Sequence, residues 1–128
     1  MLKIAIVEDE NAPAELLEQN IRQYCAEFQI PVEIHLFTNA IAFLDQYSAQ
    51  YDMIFMDIMM PNMNGWDAAR KIRSMKRRDA GTIPIIAMSA NAFSEDIINS
   101  RISGMNQHLT KPLEEAKILA ELKECLSR

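Results

Sequence analysis

An α/β fold built on a parallel five-stranded sheet follows from two features of the chain. Short apolar runs alternate with longer amphipathic segments over its whole length, which is the pattern of repeated strand and helix units. Polar residues able to do chemistry stand at or just after the ends of those runs, at the sheet edge where open α/β folds bind ligands.

The expected strands are residues 3–7, 32–37, 53–56, 83–88 and 107–109. After the first, Asn11 can cap a helix with Pro13 in its opening turn, and Ala14, Leu17, Ile21, Cys25 and Phe28 recur at helical spacing. A second helix is expected over 39–47 and a third from 66 to about 75. The fourth covers 94–103, with Glu95 and Asp96 in its first turn and Gly104 as its stop. The last runs from about 113 to 127, where Ile118, Leu119, Leu122 and Leu126 form an apolar stripe among charged neighbours.

With 128 residues, 49% of them hydrophobic and 24% charged, the chain reads as one domain over 1–128. The net charge is −5. Its basic cluster, Lys71, Arg73, Lys76, Arg77 and Arg78, falls where the third helix should end and complements that helix's negative pole, which argues against nucleic acid as a direct partner. The most apolar stretch, 53–60, is broken by Asp57 and falls far short of the roughly 20 residues a membrane span needs. The opening MLKIAIVEDE has no signal-peptide pattern. Cys25 and Cys125 lie on apolar helix stripes without metal-ligand spacing, as reduced packing residues do, so a cytoplasmic location is expected.

Glu8 and Asp9 follow the first strand, Asp57 ends the third, Ser89 follows the fourth and Lys111 the fifth. Three carboxylates crowded at the mouth of an apolar sheet repel one another, and a hard divalent cation relieves them. Magnesium fits, since it takes oxygen ligands and keeps waters that a phosphoryl oxygen can replace. Asp57 could then attack phosphorus to give a hydrolysable acyl phosphate, with Lys111 and Ser89 holding the phosphoryl oxygens by charge and by hydroxyl donation. Each residue alone has an ordinary explanation as a turn or capping group; their joint placement on successive strand ends carries the argument. The methionines at 53, 56, 59, 60, 63, 88 and 105 read as packing residues.

The segments IAIVEDE, DMIFMDIMMPNMNGWDAARKIR, PIIAMSANAF and HLTKPL resemble the receiver domain of two-component response regulators (CheY-like), and the likeness covers essentially the whole chain. That resemblance implies a flavodoxin-like three-layer sandwich with strand order 2-1-3-4-5, an arrangement for which a receiver protein is itself a stock example. It makes Asp57 the phosphoacceptor, with Ser89 and Lys111 assisting. Magnesium would be held by Glu8, Asp9, Asp57 and the backbone carbonyl of Met59, and Pro112 would follow a cis bond from Lys111. It also implies phosphorylation by a histidine kinase or phosphotransfer protein, and output to an effector protein or output domain through the fourth helix, fifth strand and fifth helix. A phosphorylation-dependent homodimer is a further partner mode, while membrane and nucleic acid are not expected partners.

One departure is His108, which stands where many relatives carry a Tyr or Phe switch. Another is Met59, whose apolar side chain could shield the site from water. Catalysis is expected only on the chain's own phosphorylation state. The alternatives are a magnesium-dependent aspartyl-phosphate phosphatase and a receiver that works without phosphorylation.

Overall fold

Three segments have almost unbroken apolar sequence, and the fold buries them on both faces, as the centre of a parallel sheet requires. In the computed structural model, which describes residues 1–48, 50–75, 81–90 and 93–126, these are β1 (Leu2–Val7), β3 (Met53–Asp57) and β4 (Ile85–Ser89). The less buried β2 (Val32–Phe37) and β5 (Gln107–Thr110) form the edges. All neighbours pair in parallel, in the order β2-β1-β3-β4-β5. The expected fold and strand order are therefore those observed.

Alternate side chains feed two separate cores. Ala5, Val7, Ile54, Met56, Ile85 and Ala87 face one, which is completed by α2 (Ala40–Gln46) and α3 (Gly65–Ser74). Ile4, Ile6, Met53, Phe55, Ile86 and Met88 face the other, against α1 (Asn11–Glu27) and α5 (Glu115–Leu126). Phe43 and Phe55 are fully buried, each contributing about 1.5–3 kcal/mol by leaving water. Helix α4 (Ser94–Ile102) is held differently: Ser100 is its only buried residue, while Ile98 and Ile102 are 54% and 71% exposed. No helix among the described residues is long and apolar enough to cross a membrane.

Several boundaries differ from expectation for identifiable reasons. Strand β4 starts at Ile85 because Pro84 has no N–H to give to a ladder, and it extends to Ser89, which pairs with Thr110. The third strand likewise includes Asp57. Asn11 is the first helical residue of α1 rather than its cap; Glu10 holds that position without a side-chain cap bond. Phe28 lies past the helix end, 53% exposed, and leans on Tyr24, which takes the buried position instead. Asn39 does cap α2, accepting from Ala42 N–H at 2.8 Å. Helix α5 begins at Glu115, two residues later than expected. Gly104 follows α4 with φ +102°, the left-handed turn its position requires. Cys25 is buried in the second core, and Cys125 packs against it. Lys71 and Arg73 lie in the last turn of α3 as expected, whereas Lys76, Arg77, Arg78 and Ser127 lie outside the described residues.

Candidate phosphorylation site

The parallel register brings the strand ends level. Val7 pairs with both Phe37 and Met56, Asp57 with Met88, and Ser89 with Thr110. Glu8, Asp57, Ser89 and Lys111 therefore emerge at one rim although they span more than a hundred positions.

Asp57 is 2% exposed at the end of β3. Its Oδ1 accepts the backbone N–H of Met59 at 3.1 Å, and its Oδ2 lies 3.3 Å from the Lys111 ammonium. Glu8 is 3% exposed, and its Oε1 forms an ion pair with the same ammonium, without the alignment of a hydrogen bond. Glu10 Oε1 stands 3.8 Å from Lys111 Nζ. Carboxylate oxygens of Glu8, Asp9 and Glu10 come within 4.8 Å of one another. Several acids thus compete for one ammonium. Burial, followed by a hydrogen bond to Asp57, pushes the Glu8 carboxyl from its ordinary 4.5 up to about 8. Burial would lower the Lys111 pKa, but the Glu8 and Asp57 carboxylates outweigh it and hold it above its usual range.

This donor set suits a hard divalent cation: all oxygen, with Glu8 and Asp57 buried and Asp9 open to solvent. Glu8, Glu10 and Asp57 share the one Lys111 ammonium, which leaves negative charge that an added cation would balance. Glu10 escaped the sequence reading, although the run of three acids in IAIVEDE was its available signal.

The loop after β3 is shaped by sequence. Asn62 takes a left-handed φ of 73°, and Gly65 N–H returns to Ile58 O at 3.1 Å. A Cβ at Gly65 would stand 2.4 Å from Asp57 O, so only glycine lets α3 start this close to the strand end. Asn64 caps α3 by accepting from Asp67 N–H at 2.8 Å. Met59 is 66% exposed, so its side chain stands largely in solvent rather than as the expected shield. The Lys111–Pro112 peptide is cis.

Ser89 is 1% exposed, and its Oγ lies 2.7 Å from His108 Nε2. On the other side of the imidazole, Nδ1 is 3.5 Å from Ser100 Oγ, which accepts Trp66 Nε1–H at 2.9 Å. Neither Ser100 nor its bond to Trp66 figures among the residues expected from sequence. A hydroxyl in the last turn of α4 carries no pattern that announces such a bond.

A buried aspartate flanked by acids, a lysine and a hydroxyl, on the carboxyl rim of a 2-1-3-4-5 sheet, defines a receiver module. The response regulator receiver domain family matches residues 4–123, and the chain belongs to that family, whose members are phosphorylation-activated switches of two-component signalling. It is similar to hybrid signal transduction histidine kinase L of Dictyostelium discoideum, 31% identical over 124 residues, which cover 95% of this chain and 7% of the kinase. It is 30% identical over 128 residues to the transcriptional regulatory protein CusR of Escherichia coli, covering 99% of this chain and 52% of that protein. The chain thus spans about half or less of the curated relatives it matches. The solved receiver domain of a Pseudomonas aeruginosa sensor histidine kinase has a magnesium ion coordinated in its active site cleft. It matches with a TM-score of 0.83 at 29% identity, over 99% of this chain and 98% of that one. A two-component response regulator from Clostridium difficile gives 0.83 at 27% identity, over 100% and 98%.

Proposed function

We propose that Asp57 accepts a phosphoryl group from a phosphohistidine on a histidine kinase or phosphotransfer protein. The observation that carries this reading is the fixed, buried Asp57 carboxylate, held by Met59 N–H on one oxygen and Lys111 on the other. One carboxylate oxygen attacks phosphorus. The phosphorus–nitrogen bond breaks, its electron pair returns to the donor imidazole, and an aspartyl phosphate results. Lys111 balances the charge on the phosphoryl oxygens, and the Ser89 hydroxyl donates to one of them. Water later cleaves the acyl phosphate to inorganic phosphate and restores the carboxylate.

Glu8, Asp9, Asp57 and the Met59 carbonyl would hold a magnesium ion, with Glu10 beside them. When bound, the ion supplies the positive charge that lets an anionic phosphate approach an acidic mouth. Residues 1–128 act as one cytoplasmic receiver unit that acts catalytically only on its own phosphorylation. Phosphorylation alters binding of an output domain, effector or second receiver copy at the face of α4, β5 and α5. Exposed Ile98 and Ile102 give the α4 part of that face its apolar character.

Intact mass after treatment with acetyl phosphate and magnesium tests the reading. One added phosphoryl group is expected, and none in Asp57→Asn. Equal labelling of the variant would overturn it, and sustained turnover of a generic phosphate ester would favour a phosphatase.

A further inference from the structure

The only buried side chain of α4 is a hydroxyl, and it joins a line of polar groups leading back to the phosphorylation site. Trp66 Nε1, Ser100 Oγ, the two nitrogens of His108 and Ser89 Oγ follow one another at 2.9, 3.5 and 2.7 Å. The two ends of this line have fixed chemistry once Asp57 is phosphorylated. An indole N–H can only donate, and a fully ionised phosphoryl oxygen can only accept. Each hydroxyl between them carries one proton, and a neutral imidazole carries one N–H.

We infer that phosphorylation orients this line into a one-way relay: Trp66 N–H to Ser100, Ser100 O–H to His108 Nδ1, His108 Nε2–H to Ser89, and Ser89 O–H to the phosphoryl group. The inference rests on Asp57 as the phosphorylation site. Its reasoning is a proton count. If Ser89 gives its proton to the phosphoryl oxygen, its Oγ meets His108 Nε2 as an acceptor, so the imidazole proton must sit on Nε2. Nδ1 is then bare and must accept from Ser100. Any imidazole that held its proton on Nδ1 exchanges it for one on Nε2, with no change in charge. His108 and Ser100 are thus positioning residues for Ser89, and α4 is gripped through its buried hydroxyl when the site is filled. Aligned bonds in a low-dielectric setting strengthen one another, so the grip and the phosphoryl contact rise together. This assigns His108 a polar role that a Phe or Tyr switch at the same position could not fill with two ring nitrogens.

Nitrogen-15 NMR of the His108 imidazole at pH 8, with and without magnesium beryllofluoride, tests the relay. Fluorine-19 NMR first establishes that beryllofluoride sits on Asp57. The expected result is the Nε2–H tautomer in the loaded protein, and in Ser100→Ala a mixed tautomer population with beryllofluoride affinity lowered about fivefold. Ser100→Thr, which keeps the hydroxyl, should restore both. A loaded protein with His108 protonated on Nδ1 would overturn the relay while leaving Asp57 as phosphoacceptor. So would an unchanged tautomer and affinity in Ser100→Ala, since a merely structural Ser100 would not move them. Failure of beryllofluoride to occupy Asp57 would overturn both readings.

Discussion

Glu8 is under electrostatic tension, because it is buried beside a second acid with one shared ammonium for relief. Its carboxyl, pushed up to about 8, holds a proton in the folded chain that the unfolded chain releases near 4.5. The folded state therefore binds more protons between those values, and stability of the metal-free protein is expected to fall as pH rises from about 4.5 to about 8 and then level off. Urea unfolding in chelator across that range checks the sign. Magnesium needs the ionised form, so its apparent affinity should climb over the upper part of the same window with release of a proton, measurable by titration calorimetry in buffers of different ionisation enthalpy. Asp57→Asn removes the neighbouring charge that raises Glu8. It should stabilise the metal-free protein by about 1 kcal/mol near pH 7.5 and flatten, without abolishing, the pH dependence, because burial remains the larger cause. A less stable variant with an unchanged pH profile would contradict this account.

At the scale of elements, packing against backbone decides what can change. Gly65→Ala would drive a Cβ into Asp57 O and Ile58 Cα, both main-chain atoms, so a loss of about 3 kcal/mol is expected in urea midpoint measurements. Asn106 is a second fixed point. Its Oδ1 accepts from Ile85 N–H and Arg73 Nη2, both at 2.9 Å, while Arg73 also donates to Gly104 O, tying α3 to the turn before β5. Asn106→Ala should cost about 1–3 kcal/mol, because it strips a partner from a strand-end N–H. Conservative recovery with Asp would identify the acceptor as the essential feature. Neither contact was legible in the sequence, since local periodicity reports which face of an element is apolar and not which loop it meets. What was legible follows the same logic: the alternation of apolar runs located all five strands, and boundaries slipped where Pro84 or Glu10 governed an end by main-chain chemistry rather than hydropathy.

For the molecule as a whole, the placement of Glu8, Asp57, Ser89 and Lys111 could be read because parallel topology forces strand ends to one rim. The contact of His108 with Ser100 could not, because it depends on how α4 seats on β5. A cation that binds only the folded chain should stabilise it by about 2.7 kcal/mol at a hundredfold excess over Kd, an increment that chelator removes. Differential scanning calorimetry with and without magnesium measures it, and no shift in midpoint would count against a metal site. The sheet order has one more consequence. Glu8 and Asp57 hang from β1 and β3, each flanked by strands on both sides, whereas Lys111 follows the four-residue border strand β5. The acids are thus carried by the middle of the frame, and the lysine by its margin. A rearrangement of these groups relative to one another meets the least resistance at that margin, so the flank of β5 is the side from which information leaves the molecule most readily.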